Sequence, residues 1–264
     1  MTIDKTKLKN AAVRVGILLF WTCMLSGLIF VLGFAGKQEQ ELSCKKVFVS
    51  IKPLELQFFN RQRVLEVIRK GLNSEQKLLG MPLSEINISK LEKSLLKESL
   101  IEDAEVYSDL NGVLNIQVDQ RKPLLRVVKY DGTQFYIDQH GIKMSLSEHF
   151  TARVPIANGN IFERFEKGDS VYSFVGIQLF KIASYVDKDA FLKALIEQIF
   201  VRADNEFVII PKIGNHIIIF GSADNLEKKF RKLLVFYREG LNRTGWKKYS
   251  SIDLRFEGQV ICKK

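Results

Sequence analysis

Ser94-Leu95-Leu96-Lys97 has the Ser-x-x-Lys spacing by which penicillin-recognising acyl enzymes set a lysine beside a nucleophilic hydroxyl. Arg243-Thr244-Gly245 approximates their Lys-Thr-Gly. Acyl transfer of that kind also needs an amide side chain facing the pair, and Ser108-Asp109-Leu110 lacks the asparagine that would supply it. Ser94 then reads as a residue on the exposed flank of an amphipathic helix whose Leu91, Leu95 and Leu96 form the buried face. His140, His149 and His216 are far apart in the chain, and no His-Glu-x-x-His, Cys-x-x-Cys, Gly-x-Ser-x-Gly or phosphate-cradling glycine loop occurs. Cys23, Cys44 and Cys262 form no disulfide framework, although a Cys44 to Cys262 bridge is conceivable in an oxidising compartment. The expectation is a non-enzymatic protein with no cofactor, metal or small-molecule substrate.

If the chain does no chemistry, its elements must do something else. Val15 to Phe34 is an uncharged run of 20 residues, enough as a helix to cross about 30 Å of hydrocarbon. Lys5, Lys7, Lys9 and Arg14 precede it, which favours a cytoplasmic amino-terminus. The expected organisation is a cytoplasmic tail over 1–14, a transmembrane helix over 15–35, a linker over 36–44 and an exported remainder. A cleaved signal peptide competes, because Gly33-Phe34-Ala35 resembles a cleavage site, but its apolar core would exceed the usual length of about 7 to 15 residues. The formal charge is +10 without any arginine-rich stripe, so a nucleic-acid partner is not expected.

The exported part reads as two domains, 45–123 and 124–264. In the first, Val47, Val49 and Ile51 alternate as in a strand. Asn60 can cap a helix carrying Val64, Val67, Ile68 and Leu72, with Phe59 and Val64 as a hydrophobic staple. Ser89 and Glu92 form a capping-box pattern for a second helix. Two strands joined by Asn111-Gly112 complete a strand-helix-helix-strand-strand order.

In the second domain, short strands and turn signals alternate with helical stretches at Phe174 to Tyr185 and Phe191 to Glu197. A helix capped by Asp224 and bearing Leu226, Phe230, Leu233, Leu234, Tyr237 and Leu241 follows. From Ile252 on, Ile252, Leu254, Phe256, Val260 and Cys262 share one parity, and Asp253, Arg255, Glu257, Gln259 and Lys263 the other. This predicts one long half-buried strand, lying either at a sheet edge or in its interior.

Gln120-Arg121-Lys122-Pro123-Leu124, Tyr136-Ile137-Asp138-Gln139-His140-Gly141 and Tyr249-Ser250-Ser251-Ile252-Asp253-Leu254-Arg255-Phe256, in this order behind one apolar anchor, resemble the FtsQ/DivIB bacterial cell-division proteins. The resemblance implies an α+β protein with a single amino-terminal transmembrane helix. A POTRA-like β-α-α-β-β domain and a β domain of mainly antiparallel strands with packed helices would follow. It also implies a plasma-membrane protein of the division septum that binds FtsB and FtsL and helps regulate septal peptidoglycan synthesis. The family's partner contact uses the carboxyl-terminal strand, including an Arg-aromatic pair matched here by Arg255 and Phe256, though Phe256 lacks the hydroxyl usual there. The candidate partner-binding residues are Asp253, Arg255, Phe256, Glu257, Gln259 and Ile261. An accessory of polypeptide transport, a role other POTRA-type units serve, is the alternative. No train of membrane-barrel strands follows the unit to favour it.

Overall fold

The computed structural model describes residues 17–31, 42–72 and 78–264. Residues 17–31 form a helix, α1, with every side chain exposed. Among the described residues no helix is long and apolar enough to cross a membrane. The remainder of the expected span, at 15–16 and 32–35, lies outside the described residues, as do the tail and most of the linker.

The following segment has the expected element order: β1 (Lys46–Lys52), α2 (Arg61–Leu72), a 3-10 turn (Leu83–Glu85), α3 (Ile88–Leu96), β2 (Ile101–Ser108) and β3 (Val113–Gln120). Its sheet has the order β1-β3-β2. β3 takes the centre because Leu114, Ile116 and Val118 alternate as fully buried residues on one side of it. The hairpin into β3 is fastened by Asp109, whose carboxylate accepts from the amides of Asn111 and Val113, while Gly112 supplies a φ of +85°.

The caps follow the expectation in one helix and depart from it in the other. Asn60 accepts from the Arg63 amide at the start of α2, and Phe59 and Val64 are both buried. At α3 the cap is Asn87, which accepts from the Lys90 amide. Glu92 reaches the Val106 amide of β2 instead of folding back to Ser89. The capping box is absent because a tertiary donor, the Val106 amide, competed successfully for the carboxylate. Leu96, expected in the buried face, is 46% exposed at the helix end.

The larger sheet has nine strands: β4 (Pro123–Val128), β5 (Gln134–Asp138), β6 (Lys143–Met144), β7 (Ile156–Gly159), β8 (Ile196–Val201), β9 (Phe207–Pro211), β10 (Ile217–Gly221), β11 (Ser251–Asp253) and β12 (Ile261–Lys263). Their order is β12-β11-β10-β9-β8-β7-β4-β5-β6. Pairing is parallel at β4/β7, β7/β8 and β10/β11 and antiparallel elsewhere.

Helices α4 (Phe174–Asp187), α5 (Ala190–Leu195) and α6 (Leu226–Val235) supply Leu179, Ile182, Leu192, Phe230 and Leu233 to one core, with Leu125, Ala157, Ile199, Ile209 and Ile218 from the strands. Ile196 and Glu197, expected to be helical, belong to β8. The α6 stripe continues through a π-helical turn (Phe236–Leu241) that keeps Tyr237 and Leu241 buried, and a short α7 (Asn242–Thr244) ends it. Asn225, in the left-handed region, stands at the α6 N-cap with no side-chain bond, so Asp224 is not the cap.

The described residues divide into two compact units. One draws on segments up to Ser50 together with Leu65–Ser94 and Glu105–Gln117; the other on Ile51–Val64, Leu95–Ala104 and Val118–Lys264.

Candidate docking edge

The Ser94 hydroxyl donates to the Lys90 carbonyl at 2.8 Å. Any Cβ added to Gly71 would overlap it, so the Ser94 side chain serves the close approach of α2 and α3. His216 is buried and its Nε2 shares a hydrogen bond with Tyr237 Oη; His140 Nε2 lies 3.1 Å from Glu102 at the surface. Cys23, Cys44 and Cys262 are all free, and among the described residues no acidic, histidine or cysteine group is arranged to hold a metal.

The residues behind the family resemblance act as fasteners. Asp138 Oδ1 accepts from the amides of His140 and Ile142 at 2.8 and 2.7 Å, and its Oδ2 accepts from Arg121 at 2.7 Å. Gly141 turns the chain there with a φ of +79°. Gln120 accepts from the Phe59 amide and donates to the carbonyls of Pro53 and Leu56. Buried polar atoms with all their bonds made give rigidity at these corners.

The carboxyl-terminal segment is a hairpin, not one long strand. β11 stops at Asp253, the chain reverses over 254–260, and β12 returns antiparallel, pairing Ser251 with Lys263, Ile252 with Cys262 and Asp253 with Ile261. Gly258, at a φ of +72°, supplies the reversal that the simple alternation passed over. Ile252 and Leu254 remain buried as expected, but Phe256 is 44% exposed.

β12 is one of the two edge strands of the nine, β6 being the other. The Lys263 carbonyl accepts from the Ser250 amide at 2.8 Å and so faces β11. Because strand residues alternate in direction, Ile261 faces inward too, and the Cys262 N–H and C=O point away from the sheet. That is an edge able to pair with another strand. Beside it lies an open groove of about 410 Å³, bordered by Arg231, Val235, Phe236 and Glu239 on one side and Gly258 and Val260 on the other.

The six expected contact residues separate into two groups. Asp253 and Arg255 are bound to each other: Arg255 Nε lies 3.1 Å and Nη2 2.8 Å from the Asp253 carboxylate, and Nη1 lies 3.0 Å from Glu206. Burial works against ionising Asp253, but the bonds from Arg255 outweigh it and hold the carboxyl below its usual value. The hydrogen bonds that Arg255 donates to Asp253, offset in part by desolvation, raise the guanidinium above its ordinary value. The Arg255 stem lies over Gly221, where a Cβ would come within 2.7 Å of Cγ.

Phe256, Glu257, Gln259 and Ile261 are exposed on the reversal and on β12. Glu257 is loosely paired with Lys228 at 3.3 Å. Sequence reasoning missed Glu206, Ser250 and Lys232. Lys232 Nζ donates to three carbonyls of the reversal. No local pattern marks these residues, because each acts on a segment distant in the chain.

The family profile described as "FtsQ/DivIB, C-terminal related" matches residues 122–263, and the one described as "POTRA-like domain" matches 42–119. Comparison with curated proteins finds no match.

Proposed function

The chain belongs to the FtsQ/DivIB-related family of cell-division proteins, and from that premise we propose that it is a membrane-anchored scaffold of the division machinery. In this reading the exported part binds FtsB, with FtsL, at the β12 edge. It helps recruit and restrain septal peptidoglycan synthesis and does no catalysis of its own. The apolar run at the amino-terminus anchors it in the plasma membrane with the tail in the cytoplasm.

One observation carries the reading: β12, an edge strand of the large sheet, turns the Cys262 backbone groups outward, and the reversal leading into it borders a mainly apolar groove. Strand addition supplies affinity through main-chain hydrogen bonds, and side chains along the edge supply selection. Phe256, Glu257, Gln259 and Ile261 are placed to select. Arg255 and Asp253, already paired, contribute mainly by shaping the reversal.

Proline at Cys262 tests this, since it removes an outward N–H that β11 does not use. Cys262→Pro should abolish capture of FtsB by the full chain while moving the urea unfolding midpoint little. Undiminished capture would reject the edge as the docking site. The transport-accessory alternative draws support only from the POTRA-like match at 42–119.

A further inference from the structure

A three-residue strand at the margin of a sheet has little to hold it. β12 shares three register pairs with β11, its Ile261 is 44% exposed, and short ribbons are marginal in water. Packing of the reversal is confined to the buried Leu254 and the partly buried Val260 at its two ends, while Phe256 and Glu257 between them face solvent.

What the reversal does have is a cation at its centre. Lys232 Nζ, reaching over from α6, donates to the carbonyls of Leu254 at 2.9 Å, Phe256 at 2.5 Å and Gln259 at 3.2 Å. An ammonium carries three N–H groups, so its whole donor capacity serves this one loop. The first of these carbonyls follows directly on β11 and the last lies two residues before β12, so the clamp fixes both ends of the reversal.

We infer that Lys232 is a positioning residue that holds the β12 edge in its docking conformation. This rests on the edge reading above and deepens it. Without the ammonium the three carbonyls turn to water, the reversal samples other conformations, and the edge exists for only a fraction of the time. Apparent affinity then falls by that fraction. The loss lies in the association rate, because the complex once formed has the same strand pairing.

The test compares Lys232→Met, which keeps the aliphatic stem, with Lys232→Arg, in the full chain in detergent. Arginine keeps the charge, but its planar fork cannot aim three N–H groups at converging carbonyls. Hydrogen exchange is read at the Ile261 and Lys263 amides, which face β11. Lys232→Met should speed exchange there about tenfold or more, leave β9 and α4 unchanged, and slow association with immobilised FtsB to a similar degree with dissociation unaltered. Lys232→Arg should recover only part of each.

Unchanged exchange in Lys232→Met overturns the inference. So does faster exchange spread evenly over the whole sheet, which would mark a general loss of stability. Capture that survives in Cys262→Pro, where Lys232 is intact, rejects the edge reading instead and leaves the exchange result to judge Lys232 alone.

Discussion

Arg255 shows how far a residue's role can depart from its position in a pattern. Alternation places it on an outward face, as a free charge for selecting a partner, where substitution would scarcely touch the fold. In the structure its guanidinium joins Asp253 to Glu206. Arg255→Glu gathers three carboxylates and should lower stability by about 1–2 kcal/mol, read from the urea midpoint, against near-neutral behaviour for Glu257→Gln. A loss of partner binding in Arg255→Glu therefore needs a stability measurement beside it.

Two buried groups, His216 and Glu163, contribute to the acid response alongside Asp253. Burial pushes the His216 imidazole below its ordinary value, so the unfolded chain takes up a proton at about pH 6.5 where the native chain does not, and stability declines as pH falls through that range. Burial pushes the Glu163 carboxyl up, but hydrogen bonds from Ser173, Lys143 and the Tyr172 amide outweigh it, so its contribution is present above the usual glutamate range and lost as pH falls below it. Thermal midpoints measured from pH 8 to 3 should therefore drop in two stages. Glu163→Gln should reduce the lower stage, to which Asp253 also contributes, and His216→Gln should flatten the upper one.

Among the elements, helix starts were legible only where the cap was local. Asn60 is three residues from the amide it serves, and its signal survives folding. The Ser89/Glu92 signal does not, because Glu92 finds the Val106 amide across the fold. Asn87→Ala should cost about 1 kcal/mol of stability, whereas Ser89→Ala should stay within about 0.5 kcal/mol. Equal losses from the two would restore the capping box.

The carboxyl-terminal element repeats the lesson in a strand. Alternation identified the buried Ile252 and Leu254 correctly, yet it continued through Gly258, where the chain turns back. Parity in sequence cannot distinguish a straight strand from a hairpin whose two arms keep the same phase.

For the whole chain, the family and its mixed α/β build give the broad role in cell division. Where the protein acts is a question for the intact cell. A fluorescent fusion of the full chain should form a band at mid-cell in dividing cells, and an even envelope signal would favour the transport alternative.

The sequence by itself determined the strand-helix-helix-strand-strand order of the first domain, the apolar stripes of the helices, and the motifs containing Gln120, Arg121 and Asp138 that carry the family likeness. The order and the stripes rest on a fixed periodicity and the likeness on residue types in a fixed order, which a linear text preserves; the bonds from Gln120 to Pro53 and Leu56 and from Arg121 to Asp138 are tertiary. Tertiary structure alone decided that the chain's last strand lies outermost, that Arg255 is already engaged, and that Lys232 gathers the reversal's carbonyls. The Lys232 clamp and the Arg255 bond to Glu206 join groups far apart in the chain, and such partners are chosen by packing rather than by neighbours in sequence.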